Sequence, residues 1–86
     1  MAWRISYSTR GRRDLSTLPE AERAAVRTAL EHAARDLGAA DVKKLSGRTG
    51  EWRLRVGRWR VLLGLDNRTG VITVVRVVSR DRAYRD

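Results

Sequence analysis

The sequence contains no cysteine, one histidine and one proline. Without cysteine it can form neither disulfide bonds nor thiolate metal sites, and this composition fits a cytoplasmic location. A single histidine without clustered carboxylates predicts no metal centre, and the lack of a glycine-rich phosphate loop or nucleophile elbow predicts no cofactor. No apolar run approaches membrane-spanning length and the first residues do not resemble a signal peptide, so we expect no membrane association.

Acidic residues are also scarce, and they are unevenly distributed. Residues 1–42 contain seven basic and six acidic side chains, whereas residues 43–86 contain twelve basic and four acidic ones. Ten of those twelve basic residues are arginines, which suit bidentate contact with phosphate. A nearly neutral half followed by a strongly basic half is typical of a nucleic-acid-binding protein, although a basic surface also serves solubility alone.

The chain is short enough to form one domain, which we place at residues 1–86. At this length a protein buries only about 60–65% of its unfolded surface, enough for one sheet and one helical layer. The pattern predicts an α+β fold with an N-terminal strand, two helices and an antiparallel three-strand meander (β-α-α-β-β-β). We expect the helices on one sheet face, the first strand at the edge beside the last strand, and a short C-terminal tail or helical turn.

The first two elements are predicted from alternation and capping. Apolar and polar residues alternate from Trp3 to Ser8, which predicts a strand whose odd-numbered side chains point inward. Ser8 or Thr9 is placed to cap a short helix that runs to about Leu15.

The second predicted helix runs from about Pro19 to about Leu37. We expect Thr17 at its N-cap, proline in its first turn and Gly38 just past its end. His32 lies off the apolar stripe of this helix and is expected to be exposed. The stripe consists of Val26, Leu30, Ala33 and Leu37.

The clearest turn signal is Gly57-Arg58. Large apolar residues alternate with arginine from Trp52 to Val56, and the two following residues then indicate a hairpin turn of type I′ or II′. This turn places Arg55 opposite Arg60. Like charges directly opposed across strands destabilise a sheet, so the pair suggests that a polyanion binds over it.

A turn-rich loop, residues 66–70, separates this hairpin from the last strand. Pairing Leu65 with Val71 across the loop places Arg60 opposite Arg76, whereas a one-residue slip would turn Arg76 toward the core. The predicted cationic row consists of Arg55, Arg60 and Arg76, with Arg53 beside it and Arg80 at the strand exit. The predicted core face consists of Trp52, Leu54, Val56, Trp59, Val61, Leu63, Leu65, Val71, Val75 and Val77, with Thr73 among them.

Arginines together with a tyrosine can provide the groups that RNA cleavage without a metal ion needs. The 2′-hydroxyl of RNA attacks the adjacent phosphate, and fixed guanidinium groups stabilise the added charge. A tyrosine can transfer the protons when neighbouring cations lower its pKa. Tyr84 is the candidate because it can share a face with Arg80 in a turn or short helix, and a packing role for Tyr84 is the alternative.

Four stretches of the chain resemble the RelE/ParE toxin superfamily in their order and spacing. They are residues 42–47 (VKKLSG), 52–56 (WRLRV), 59–62 (WRVL) and 77–84 (VVSRDRAY). The resemblance implies a RelE-like toxin of a toxin–antitoxin pair that enters the ribosomal A site and cleaves mRNA there. Its implied partners are the ribosome, mRNA and a RelB-like antitoxin that is acidic and partly disordered when free.

The resemblance also implies a metal-independent endoribonuclease and the positions of its site. The implied catalytic residues are Arg53, Arg55, Arg60, Arg80 and Tyr84. We expect further basic residues to bind RNA, namely Lys43, Lys44, Arg48, Arg58, Arg76 and Arg82.

Two departures from the family pattern concern the proton acceptor. Relatives often have lysine where Arg53 and Arg55 stand, and arginine keeps its proton, so it is a poor general base. Many relatives carry histidine where Ser79 stands. Tyr84 is then the candidate general base, or the protein has none among these residues, and Glu51 is a weak alternative.

Two other functions remain open on the sequence. One is a ParE-like toxin that inhibits DNA gyrase, and members of that type lack the full set of basic residues and tyrosine. The other is a non-catalytic basic module that only binds nucleic acid or the ribosome.

Overall fold

Two helices and a five-stranded mixed sheet make up the fold. The computed structural model describes residues 2–45 and 51–79. The elements are β1 (Arg4–Tyr7), α1 (Thr9–Ser16), α2 (Glu20–Arg35), a 3-10 turn (Leu37–Ala39), β2 (Val42–Lys44), β3 (Glu51–Val56), β4 (Trp59–Asp66) and β5 (Val71–Ser79). None of the described helices is long and apolar enough to cross a membrane.

The strand order is β1-β5-β4-β3-β2. β1 runs parallel to β5, and the other neighbouring strands are antiparallel. The predicted α+β order is confirmed, and so is the position of the first strand beside the last. The short strand β2 was not predicted, and it adds a fourth member to the antiparallel meander.

The core lies between the sheet and the two helices. Val26 and Leu30 of α2 are fully buried against it, and His32 is exposed as predicted. The inward side chains of β1 are half-buried against the same core. The buried cluster comprises Leu15, Leu18, Val26, Leu30, Ala34, Leu54, Val61, Leu63, Ile72, Val74 and Val77. Full burial of one such aliphatic side chain stabilises a fold by about 1.5–3 kcal/mol.

Helix α1 lies beside β5 where β1 stops. Ser8 caps this helix as predicted, because its Oγ accepts a hydrogen bond from the Gly11 amide at 2.9 Å. The Ser8 amide donates to the Val74 carbonyl at 3.0 Å, which carries the backbone directly from the strand into the helix. Gly11 then packs so closely that a Cβ built on it would lie 2.3 Å from the Val74 oxygen.

The predicted ends of α2 were wrong. Pro19 is at its N-cap without a side-chain hydrogen bond, whereas the Thr17 hydroxyl donates to the Asp14 carbonyl at 2.7 Å and so completes α1. The last α-helical residue is Arg35, and Gly38 lies inside the 3-10 turn that follows. A threonine can satisfy a free carbonyl of a preceding helix as readily as it caps the next one.

The predicted register of the β3–β4 hairpin is confirmed. Arg55 pairs with Arg60, and Val56 pairs with Trp59. Gly57 has a φ of 58° while Arg58 does not have a positive φ, which is the pattern of a type II′ turn. A glycine at the first turn position therefore determines which arginines face each other.

The predicted register of the second loop was wrong by one residue. Asp66, rather than Leu65, pairs with Val71. The Asp66 carboxylate accepts the Arg68 amide at 2.9 Å, and the Asp66 carbonyl accepts the Gly70 amide at 2.8 Å. The hydrogen bonds of Asp66 therefore stabilise the turn, and the strands begin to pair one residue closer to the loop than the sequence predicted.

A β-bulge at Val75 changes the register again. Leu63 pairs with Val74 and Leu62 pairs with Arg76, so Val75 has no opposite residue on β4 and is 41% exposed. Arg76 therefore does not face Arg60, which pairs with Val78 instead. As a result Ile72 and Val74 are buried in the core, whereas Val71, Thr73 and Val75, which had been predicted there, are not. Val77 lies in the core as predicted.

Candidate nucleic-acid interface

Four basic side chains of β2, β3 and β4 share the sheet face opposite the core. Arg76 of β5 also lies on this face, because it pairs with Leu62, and is described below. Lys43 of β2 pairs directly with Arg53 of β3, and Arg55 of β3 pairs directly with Arg60 of β4. We call this group the cationic face: Lys43, Arg53, Arg55 and Arg60. Directly paired residues have Cβ atoms about 4.5–5.5 Å apart, so each of the two pairs brings like charges close together.

The four side chains differ in exposure. Lys43 and Arg55 are exposed and Arg53 is half-buried, whereas Arg60 is only 6% exposed. A small cavity of about 30 Å³ lies between Arg55, Arg60 and the hairpin turn. The buried arginine is held in place by its surroundings, and the exposed arginine opposite it can move toward a ligand.

The basic side chains of this face attract anions. Arg60 already takes part in an interaction of its own, so the exposed Arg55 is the more accessible member of the pair. An anion that binds beside Arg55 can accept charge-assisted hydrogen bonds from its guanidinium group. Leu62 and Val78 lie on the same side of the sheet, because Leu62 pairs with Arg53 and Val78 with Arg60.

Arg76 is engaged in an internal ion pair. Its Nε donates to Asp14 Oδ2 at 2.7 Å, and the Val77 amide donates to the same oxygen at 2.9 Å. The two side chains are 26% and 16% exposed. Asp14 therefore connects α1 to β5. It also neutralises Arg76, which we had predicted to bind RNA.

Two other predicted RNA-binding residues are directed toward the helical side of the sheet. Arg58 Nε is 3.4 Å from Glu22 Oε1 of α2, and the Arg58 guanidinium lies 5.1 Å from the centre of the Trp59 ring. Lys44 is exposed and pairs with Trp52, whose side chain packs against the core. Neither belongs to the cationic face.

The remaining predicted site residues are distributed as follows. Ser79 pairs with Trp59, which places it on the helical side, and Glu51 pairs with Gly64 at the start of β3. Four residues lie outside the described part of the chain: Arg48, Arg80, Arg82 and Tyr84. The structure therefore assembles the arginines of β3 and β4, and the assignments of Arg80 and Tyr84 stay predictions.

Sequence reasoning missed a second basic cluster between the helices. A pocket of about 490 Å³ is lined by Tyr7, Arg12, Leu15, Ser16, Arg23 and Arg27. The available signal was the spacing of Arg23 and Arg27, which places them one turn apart on one face of α2. The position of Arg12 depends on how α1 packs beside β5, which no local pattern reveals.

The comparison with protein families supports the resemblance seen in the sequence. The model of the family described as ParE toxin of type II toxin-antitoxin system, parDE, matches residues 5–84. No curated protein matches the chain.

Solved structures of RelE toxins share the fold. The RelBE2 toxin–antitoxin complex from Mycobacterium tuberculosis matches with 29% identity and a TM-score of 0.79, over 93% of this chain and 100% of that one. The RelB–RelE antitoxin–toxin complex from Methanococcus jannaschii matches with 24% identity and a TM-score of 0.77, over 93% and 95% of the two chains.

A solved structure of a toxin in the free state gives the same result. The free form of an Escherichia coli RelE mutant, in which two arginines are replaced by alanine, matches with 18% identity and a TM-score of 0.79. The match covers 98% of this chain and 90% of that one. The chain therefore belongs to the ParE toxin family of type II toxin–antitoxin systems, within the RelE/ParE superfamily.

Proposed function

We propose that this toxin is a ribosome-dependent endoribonuclease that cleaves mRNA in the A site. The observation that supports the proposal most is the direct pairing of Arg55 with Arg60 on the open sheet face. An RNA phosphate that binds at this pair can accept charge-assisted hydrogen bonds from guanidinium groups. Arg53, two residues from Arg55 on the same face, extends the site along the RNA backbone.

The reaction that suits this face is attack by the RNA on itself. A bond forms between the 2′-oxygen and phosphorus while the bond to the 5′-oxygen breaks, which leaves a 2′,3′-cyclic phosphate and a 5′-hydroxyl. Arg53 and Arg55 would hold the phosphate, and Arg60 would stabilise the extra negative charge of the transition state. Guanidinium groups do not accept protons at neutral pH, so we assign proton transfer to Tyr84 and further phosphate contact to Arg80.

The proposed antitoxin is RelB-like, acidic and partly disordered when free. Two of the structures that share this fold are toxin–antitoxin complexes that contain RelB. An acidic segment that folds over the cationic face would neutralise its paired charges and exclude RNA. Binding should then weaken as the salt concentration rises, because screening reduces the attraction between exposed charges.

A specific observation favours a second candidate function, inhibition of DNA gyrase. The family model that matches residues 5–84 is that of the ParE toxin. Arginine at positions 53 and 55 also leaves those positions without the lysine that a nuclease of this type often carries. In a gyrase inhibitor the cationic face would serve binding only, and no RNA would be cut.

Single-turnover cleavage on ribosomes programmed with mRNA tests the first proposal, with gyrase supercoiling assayed in parallel. We expect the wild-type toxin to cut in the A site, and the products to carry a 2′,3′-cyclic phosphate. Arg60→Gln should abolish cutting, whereas Arg35→Gln should not, because Arg35 is an exposed residue at the end of α2. RNA left intact while supercoiling is blocked would contradict the nuclease and support the second candidate.

A further inference from the structure

A second group of arginines lies on the helical side of the sheet, away from the cationic face. Arg12 comes from α1, and Arg23 and Arg27 come from α2. Together with Tyr7, Leu15 and Ser16 they line the pocket of about 490 Å³ between the helices, which we call the inter-helix pocket. Its size is in the range of sites that hold small ligands or single nucleotides, about 300–1,000 Å³.

The arginines of this pocket are positioned by the packing of the helices. The close contact of Gly11 with the Val74 carbonyl sets the position of α1, and Arg12 is the next residue. Arg23 Nη1 donates to the Leu18 carbonyl at 3.3 Å, and Leu18 is buried in the loop between the helices. Arg27 is one helical turn beyond Arg23, on the same face of α2.

The arginines of the pocket have no carboxylate partner within the described part of the chain. The described residues that line it include no carboxylate. Within residues 2–45 and 51–79, ion pairs connect Arg58 to Glu22 and Arg76 to Asp14, and Arg12, Arg23 and Arg27 take part in none. Three guanidinium groups around one pocket repel each other until an anion binds between them.

We propose that the inter-helix pocket binds a phosphate of RNA, which gives the toxin a second RNA contact on the opposite side of the sheet from the cationic face. This inference deepens the proposed function and rests on it. Arginine is the residue that best matches the oxygens of a phosphate, through bidentate hydrogen bonds. The Tyr7 side chain and the arginine planes also provide flat surfaces of the kind on which RNA bases stack.

An acidic peptide is a poorer match for the same pocket. Protein partners gain most of their affinity from apolar or aromatic anchors that enter apolar pockets. The aliphatic member of this lining, Leu15, is already buried in the core, and Tyr7 is half-buried against it. Three of the six lining residues are arginines, and the aliphatic one is already held in the core, so the pocket suits a phosphate better than an apolar peptide anchor.

The consequence is an RNA contact on each side of the sheet. A toxin whose cationic face holds mRNA would use the inter-helix pocket to hold a second RNA segment, such as ribosomal RNA around the A site. The pocket would then contribute affinity for the ribosome, whereas the cationic face would contribute the reaction.

Matched double variants test this division. Arg23→Gln combined with Arg27→Gln removes two charges from the pocket, and Arg13→Gln combined with Arg35→Gln removes two charges from exposed positions of the same helices that do not line it. The probes are vacant ribosomes and a 2′-O-methyl RNA strand, which can bind but cannot be cut. The salt dependence of both affinities is measured between about 50 and 200 mM salt, where phosphate contacts weaken most visibly, with thermal unfolding as a folding check.

We expect the pocket variant to bind both probes roughly tenfold or more weakly than the control variant, as the removal of charge-assisted hydrogen bonds predicts. The slope of log K against log salt should fall by about 0.7 for each phosphate of a single strand that the variant no longer neutralises. Arg12→Gln, an exposed single change on α1, should act in the same direction.

Equal affinities for the pocket and control variants would overturn the proposal. It would also be overturned if only the affinity for the antitoxin fell, since the pocket would then be a protein-binding site. A wild-type toxin that fails to cut mRNA would contradict the proposed function alone, and weaker binding of 2′-O-methyl RNA by the pocket variant would still support this site.

Discussion

Arg55 and Arg60 face each other across the β3–β4 hairpin, and one of them is exposed while the other is only 6% exposed. The two-residue turn at Gly57 enforces this pairing, because a change in turn length would change every pair along the hairpin. The pairing places two positively charged residues side by side on the face that we propose for phosphate binding.

Reversing one charge of this pair should separate the two effects. Arg55→Glu places a carboxylate opposite Arg60, which should raise the free energy of unfolding by about 0.2–1 kcal/mol. The same change should lower cleavage by about 10²–10³-fold, the usual effect of removing a group that stabilises transition-state charge. Chemical denaturation and single-turnover cleavage measure the two quantities.

The matched control is Arg35→Glu, which makes the same change of charge at an exposed helix end. It should leave cleavage unchanged and lower stability slightly, since cations favour a helix C-terminus. A less stable Arg55→Glu variant would show that the pair carries no repulsion in the free protein.

Asp14 should contribute more to stability than Glu22, the carboxylate that contacts Arg58. Asp14→Ala removes the acceptor of Arg76 Nε and of the Val77 amide, and a hydrogen bond to a charged group is worth about 1.5–3 kcal/mol. Glu22→Ala breaks a 3.4 Å contact with a mostly exposed Arg58, a class of ion pair worth about 0–1 kcal/mol. Urea unfolding of both variants gives the comparison, and equal losses would contradict the structural role of Asp14.

Gly11 should be intolerant of any side chain. Alanine normally stabilises a helix by about 1 kcal/mol relative to glycine. At this position its Cβ would lie 2.3 Å from the Val74 carbonyl oxygen, so α1 must move away from β5 and overpacking of about 1–3 kcal/mol should dominate. Gly64→Ala is the control, because no atom lies within 4 Å of a Cβ built there. A more stable Gly11→Ala variant in thermal unfolding would show that the helix can shift without cost.

Tyr84→Phe tests the assignment of proton transfer. The change keeps the ring and removes the hydroxyl, so ribosome binding should stay near the wild-type level because phosphate contacts supply it. Cleavage should fall by about 10²–10⁴-fold, the usual contribution of a general acid or base. If only Tyr84→Ala reduced cleavage, the residue would serve packing rather than proton transfer.

The features that could be predicted from the sequence depend on strong local signals. The glycine turn determined the pairing of Arg55 with Arg60, and the serine before α1 determined where that helix begins. The last strand had no such signal, because residues 71–78 are apolar except for Thr73 and Arg76 and show no alternation that identifies a face. The bulge at Val75 and the loop closed by Asp66 could not be read from that run.

The arrangement of the candidate site residues could also be predicted only where local signals were strong. Strand alternation and a turn were sufficient to place Arg53, Arg55 and Arg60 on one face. The pairing of Arg76 with Asp14 joins residues 62 positions apart, and it follows from how α1 packs at the sheet edge. Contacts between distant elements depend on the assembled fold, so a row drawn from strand patterns alone includes arginines that the fold uses elsewhere.

The parallel pairing of β1 with β5 has a consequence for the order of folding during synthesis. β1 is made first, yet its sheet neighbour is the last described strand, and the Ser8 hydroxyl bonds to a carbonyl 67 residues away. Such long-range pairing forms slowly and only when both ends of the chain are present. A hairpin of β3 and β4 alone would be marginally stable. We therefore expect the arginines of the cationic face to become ordered only once β5 is available to pair with both β1 and β4.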